Sequence, residues 1–180
     1  MIPKPSASNI DELREELDQA TTSERVEWIH SLGKSEQKRL FEMAQGALSP
    51  AHFYGEEGEV VIHEGRNSLP LFTRFQKRVC LQGSQAQGYN ENTIRWLVGP
   101  GHFLVRPSED TEGEIWLDYY WVAESAPPEF PEASNNKKGI SRLVYADMID
   151  VMRGVSQHVT IGRAVRGGKQ TENYFVLCRR

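Results

Sequence analysis

Charged side chains interrupt apolar strand patterns at several points along the chain. Residues Ile115–Val122 alternate between two apolar faces, and Asp118 shares one of them with Trp116 and Tyr120. A carboxylate in such surroundings needs a cation or hydrogen-bond donors nearby, or else its pKa rises. The pattern therefore indicates that Asp118 is a buried acid, either paired in a structural role or held ready for chemistry.

Three cations interrupt other apolar patterns in the same way, namely Lys77, Arg95 and Arg163. The simpler interpretation is an ion pair across strands, because structural pairs perturb buried carboxylates as readily as active sites do. The functional interpretation is an aromatic cavity with one or two cations at its end. Such a cavity suits a small, mostly apolar ligand that carries an anionic head. The predicted ligand-binding residues are Lys77, Arg95, Trp116, Asp118, Tyr120 and Arg163.

The sequence contains none of the common catalytic motifs. It has no nucleophile elbow, zinc-protease motif, Cys-x-x-Cys, phosphate-binding loop or dinucleotide fingerprint. Its five histidines are far apart, so we predict no metal site and no cofactor. A cofactor-free enzyme remains the first alternative, with Asp118 or His63 as general base and Arg163 or Lys77 steadying an oxyanion. The second alternative is a protein–protein interaction domain.

Charge and cysteine content limit the partners and the compartment. The 180 residues carry 21 basic and 25 acidic side chains, a net charge of −4, which argues against nucleic-acid binding through a basic field. No apolar run approaches the ~18 residues of a membrane span, and no signal peptide is visible. Cys80 and Cys178 both lie in apolar runs, as reduced buried thiols do. We therefore expect a soluble, cytoplasmic protein.

Two kinds of periodicity divide the chain. Residues 1–48 show short amphipathic helices, with Asn9 as an N-cap and the capping-box pair Thr21 and Glu24. Residues 58–180 show mainly the two-residue alternation of apolar side chains that is typical of strands, and one such strand is predicted at Thr93–Val98. Three segments depart from the strand pattern: a polar hairpin tip from Gln82 to Glu91, a proline-containing loop over 124–141, and a helix from Ser141 to about Val155.

Together these patterns predict a single α+β domain over residues 1–180. Three short N-terminal helices precede a curved antiparallel sheet or partly closed barrel of about seven strands, with one late helix. The predicted function is a binding module for a small, mostly apolar or lipid-like ligand in an aromatic-lined pocket.

Overall fold

The N-terminal part of the chain forms three short helices, as the apolar spacing predicts. They are α1 (Ile10–Gln19), α2 (Thr22–Ser31) and α3 (Lys34–Met43). The capping box at α2 is present: the Glu24 amide donates to Thr21 Oγ1 at 3.3 Å, and the Thr21 amide donates to Glu24 Oε2 at 2.8 Å. The computed structural model describes residues 2–6, 10–45, 48–70, 73–93, 95–121, 126–132 and 145–180. The predicted cap Asn9 lies outside these ranges.

An antiparallel sheet of eight strands follows and closes into a barrel. The strands are β1 (Val60–Asn67), β2 (Arg74–Gln82), β3 (Gln85–Glu91), β4 (Phe103–Pro107), β5 (Ile115–Asp118), β6 (Met148–Gly154), β7 (Val159–Arg166) and β8 (Lys169–Arg179). Each strand pairs with the next, and β8 pairs with β1. The predicted α+β class with an antiparallel body is confirmed, with one strand more than expected and full closure.

Three local predictions are wrong in ways that the barrel explains. The polar segment from Gln82 to Glu91 is mostly strand β3, because its inward positions Ala86 and Gly88 suit a crowded interior. The strand predicted at Thr93–Val98 is instead a short helix, α4 (Arg95–Val98). Of the late helix predicted from Ser141, Tyr145 is helical, but Met148–Gly154 is strand β6. Pairing with β5 and β7 outweighs the helical spacing of its apolar residues.

Two apolar cores lie on opposite sides of the barrel wall. The inner core lies inside the barrel and includes Val79, Leu117 and Leu177. The outer core lies between the three helices and the outer faces of β7 and β8. Helices α2 and α3 both pack on β8, and α2 also reaches β1. The helices therefore cover the seam where the first and last strands meet.

The two ends of the barrel differ. Residues 48–58 cross one end, where the buried Phe53 enters the inner core. The Leu48 amide donates to the Gly113 carbonyl, and the Gly58 amide donates to the Leu81 carbonyl, both at 2.9 Å. The opposite end carries the β1–β2, β3–β4 and β7–β8 connections and contains a cavity. No helix among the described residues has the length and apolar character needed to cross a membrane.

Part of the loop predicted over 124–141 lies against the barrel. Residues 126–132 are described, and within them Phe130 is buried on the outer face of β2 and β3. Its ring contacts Tyr89 edge-on, with centroids 4.8 Å apart. Residues 122–125 and 133–144 lie outside the described part, so the predicted mobility of this loop stays a prediction.

Candidate functional site

Three inward-facing glycines each stand opposite a phenylalanine on the neighbouring strand. A Cβ on any of these glycines would come within 2.7 Å of the phenylalanine ring. The missing side chain is therefore what lets each ring lie across the partner strand inside the barrel. The pairs are Gly65 with Phe75, Gly88 with Phe103, and Gly162 with Phe175.

The three phenylalanine rings surround the ammonium group of Lys77. Lys77 Nζ lies 4.9 Å from the ring centroid of Phe103, 5.0 Å from that of Phe175 and 5.6 Å from that of Phe75. A cation at this distance is attracted to the negative face of an aromatic ring, and more strongly when it is removed from water. Lys77 is only 3% exposed, so the aromatic cage holds a dehydrated cation.

A network of polar side chains satisfies this ammonium group completely. Lys77 Nζ donates to Asp150 Oδ2 at 3.1 Å, to Asn90 Oδ1 at 2.8 Å and to Tyr119 Oη at 2.6 Å. An ammonium has three N–H groups, and each has an acceptor here. Lys77 and Asn90 are direct partners on β2 and β3, while Tyr119 follows β5 and Asp150 lies on β6. Four different segments thus supply the network.

Burial shifts the proton affinity of the groups in and beside this network. It lowers the pKa of Lys77, and the neighbouring Asp150 carboxylate opposes that shift. It raises the pKa of Tyr119 well above its usual value, and that of Tyr145 to about 12. Both phenols therefore remain protonated at neutral pH. The Tyr119 hydroxyl can thus donate a hydrogen bond to Asp150 Oδ2 at 3.1 Å.

A cavity of about 410 Å³ opens beside the Lys77–Asp150 pair at the end of the barrel opposite residues 48–58. Its walls are mainly apolar and aromatic. Tyr145 stacks on Tyr119 with an interplanar angle of 8° and a centroid separation of 5.5 Å. The remaining lining residues include Leu69, Phe75, Val98, Met148, Ala164 and Phe175, with Asn67, Arg166 and Asn173 as polar members. The cavity thus joins apolar walls to a charged, hydrogen-bonded floor.

The structure does not bring the six predicted ligand-binding residues together. Lys77 faces the cavity, whereas Trp116, Asp118, Tyr120 and Arg163 line a separate groove of about 850 Å³ outside the barrel. Arg95 is in α4 and pairs with Glu91 at 3.1 Å. The division follows from strand alternation, since Ile115 and Leu117 face inward and their neighbours on β5 face outward.

Asp118 is buried as predicted, but its partner is a cation that the sequence did not single out. Asp118 Oδ2 accepts hydrogen bonds from Arg106 Nε at 2.8 Å and Nη2 at 2.6 Å. Asp118 Oδ1 accepts one from the Tyr120 amide at 2.8 Å. The other cation expected nearby, Arg163, pairs instead with Glu172 at 3.1 Å. These contacts make Asp118 an ion-paired carboxylate with both oxygens occupied.

His63, the other candidate base, lies in the barrel on β1, near residues 48–58. Its Nε2 is 3.0 Å from the Phe53 carbonyl, so this nitrogen carries the proton and donates it. The residue is 2% exposed, and burial lowers its pKa to about 4. His63 is therefore a neutral, buried donor at physiological pH.

Sequence reasoning missed the partners of Lys77. Asp150 falls within the helix predicted from Ser141 to about Val155, off the apolar stripe formed by Met148, Val151 and Val155. The signal that could have found it is the alternation Met148, Asp150, Met152, which has the period of a strand with one face inward. Asn90 was missed because the segment containing it was interpreted as a hairpin tip.

Comparison with known proteins gives no relative. No protein-family model, curated protein or solved structure matches the chain. Among the described residues, no group of three or more His, Cys, Asp or Glu side chains is placed to hold a metal ion. The fold alone therefore defines the class of protein, which is a closed, eight-stranded antiparallel barrel with a buried aromatic cluster. This architecture is compatible with binding one small ligand.

Proposed function

We propose that this protein binds a small, mostly apolar ligand in the cavity of about 410 Å³ at the open end of its barrel. The observation that carries the proposal is the composition of that cavity, with apolar and aromatic walls and a few convergent polar groups at one point. Pockets that hold small molecules combine these two features, with volumes of about 300–1,000 Å³. The apolar body would lie against Phe75 and Phe175, and the polar end beside Lys77 and Asp150.

The size of the barrel supports this proposal. An antiparallel barrel of eight strands has an interior that side chains can fill or that can hold one small ligand. Here the interior is divided, since Val79, Leu117 and Leu177 fill the half near residues 48–58. The other half contains the cavity, and the network around Lys77 lies along it.

The contacts of the two candidate bases favour binding over catalysis. A general base needs a free lone pair within reach of a substrate proton. The Asp118 oxygens accept from Arg106 and the Tyr120 amide. His63 Nε2 donates to a backbone carbonyl, and the residue is 2% exposed and does not line the cavity, so its other ring nitrogen is out of reach of a molecule bound there. The enzyme alternative therefore gains no support from these residues.

We also propose that the protein works in a reducing compartment, with the cytoplasm as the natural candidate. Cys80 and Cys178 are free and buried. Burial raises the pKa of both thiols, so both remain protonated. Unpaired thiols are usual where cellular reductants keep cysteines reduced.

Titration with the neutral apolar dye N-phenylnaphthylamine tests the binding function. We expect saturable, enhanced fluorescence with the wild-type protein and loss of that signal in Ala164→Phe, which places a ring in the cavity. Ile149→Phe on the adjacent strand adds a ring to the outer groove instead and is the matched control. Equal binding by all three proteins, or selective loss in Ile149→Phe, would refute the assignment to the barrel interior. Unfolding midpoints of both variants establish that they are folded.

A further inference from the structure

We infer that the cavity selects an electrically neutral ligand whose inner end carries a hydroxyl group, and that this hydroxyl donates to Asp150. The inference rests on the proposed binding function and specifies the chemical class of its ligand.

The floor has no spare donor for an anionic head group. All three N–H groups of Lys77 are committed, to Asp150, Asn90 and Tyr119. The side-chain amide of Asn90 donates to the Gly101 carbonyl at 3.1 Å and to Tyr119 Oη at 3.0 Å. A ligand carboxylate would have to break these bonds to reach a donor at the inner end of the cavity.

The floor does have a spare acceptor. Both hydrogen bonds that reach the Asp150 carboxylate end on Oδ2, one from Lys77 and one from Tyr119. No described residue donates to Asp150 Oδ1, although Asp150 lines the cavity. A hydroxyl group of a ligand placed at Asp150 Oδ1 would donate a charge-assisted hydrogen bond, which is stronger than a bond between neutral groups.

The charge of the floor excludes the two ionic alternatives. Lys77 and Asp150 are 3% and 4% exposed and balance each other, one positive against one negative. A ligand carboxylate would add a second negative charge beside Asp150, and a ligand ammonium would add a second positive charge beside Lys77. Like charges brought together in a desolvated site are strongly unfavourable. The titratable groups facing this pair are the phenols Tyr119 and Tyr145, both kept neutral by burial, and His63. His63 is the direct partner of Lys77 on β1, and it is neutral as well because burial lowers its pKa to about 4. Arg166 is an exposed member of the cavity lining.

Three probes of equal chain length distinguish these cases: decanol, decanoate and decylammonium. Each is titrated against wild-type protein loaded with N-phenylnaphthylamine, and the dissociation constant is taken from dye displacement. We expect decanol to bind at least about tenfold more tightly than either charged probe, since like-charge contacts cost several times the free energy of a tenfold change. Equal or tighter binding of decanoate or decylammonium would overturn the inference while leaving the binding function intact. Failure of all three to displace the dye would count against both.

Two single substitutions then reverse the preference. Asp150→Asn removes the negative charge and leaves Lys77 without a counter-ion, so decanoate should become the tightest of the three probes. Lys77→Met leaves Asp150 as the only charge of the pair, so decylammonium should become the tightest-binding of the three probes instead. An unchanged order of the three probes in folded Asp150→Asn would overturn the inference. If that variant does not fold, the wild-type order decides the question.

Discussion

Gly162 and Phe175 face each other directly across β7 and β8, and a Cβ on Gly162 would come 2.3 Å from Cζ of the Phe175 ring. The same Cβ would meet Met152 Sδ at 2.6 Å. Because Phe175 is also one wall of the Lys77 cage, this glycine links barrel packing to the floor of the cavity.

Gly162→Ala should therefore destabilise the protein by about 2–3 kcal/mol, since both the Phe175 ring and the Met152 side chain must move to admit the methyl group. Denaturant unfolding measures the change. Gly33→Ala is the control, because its Cβ would meet only Glu36 Oε2, at an ordinary 3.5 Å. A Gly162→Ala midpoint equal to the wild-type value would show that the ring is free to move aside.

Substitutions of Lys77 and Asp150 should have coupled, non-additive effects on the free energy of unfolding. Lys77→Met leaves a buried carboxylate unpaired, which costs roughly 3–5 kcal/mol of stability. Adding Asp150→Leu removes both charges and should restore most of the loss, since apolar replacements for a buried pair are often neutral. The exposed pair Lys38–Glu172, at 3.0 Å, provides the matched control, and Lys38→Met should barely change the unfolding midpoint. Additive losses in the double variant would contradict this coupling.

Asp118→Ala should lower the free energy of unfolding by more than about 2 kcal/mol, because it removes the acceptor of three hydrogen bonds, two from Arg106 and one from the Tyr120 amide. Unfolding followed by tryptophan fluorescence measures it, with Trp116 next to the site. Glu109→Ala removes the other carboxylate partner of Arg106, which is mostly exposed, and should leave the midpoint nearly unchanged. Ligand binding should survive Asp118→Ala, since the carboxylate lies outside the barrel.

Stability should decrease as pH falls from 6.5 towards 4. His63 has a folded pKa lowered to about 4, whereas the unfolded residue titrates near its usual value of about 6.5. Between these values the unfolded chain binds a proton that the folded one does not, so acid favours unfolding. The wild type should lose about 2 kcal/mol from this residue between neutral pH and about pH 4.5. The loss should be smaller by that amount in His63→Gln, which keeps a donor for the Phe53 carbonyl. If the free energy of unfolding depended on pH identically in both proteins, His63 would not be the group responsible.

The two thiols should be free but slow to react. Cys80 and Cys178 are both buried, so a thiol reagent should modify neither quickly in the native state and both after denaturation. Spectrophotometric titration of thiols without added reductant checks this. A chain with no reactive thiol after denaturation would contain a disulfide and would contradict the structure.

Local sequence patterns predict those parts of this fold that depend on local forces. The helices α1–α3 follow from apolar spacing and the Thr21–Glu24 capping box. The strand β6 does not, because Val151 and Val155 also suit a helix and only pairing with β5 and β7 selects the strand. The prediction for β3 is wrong for the same reason, because β2 and β4 pair with this polar segment. Residues Arg95–Val98 alternate like a strand but pair with none of the described strands, and they form α4 instead.

Only one member of the candidate site, Lys77, follows from the sequence. Lys77 is detectable because a cation on an apolar strand face is costly unless it is satisfied. Its acceptors Asn90 and Asp150 lie far away in the sequence, in segments whose structure was predicted wrongly. Which carboxylate meets which cation depends on strand order, and local patterning does not specify that order.

Barrel closure has a consequence for how the protein folds. His63 pairs with Arg179, so the β1–β8 contact joins the beginning of the sheet to the end of the chain, and it forms only after a very large loop has been closed. Topologies with such distant contacts fold slowly, in milliseconds to seconds. Helices α2 and α3 pack on β8, and α2 also packs on β1, so they stabilise this contact once it has formed. Removal of residues 10–43 should therefore weaken this contact and leave two strand edges open to pairing with other molecules, so that aggregation during refolding becomes the dominant outcome.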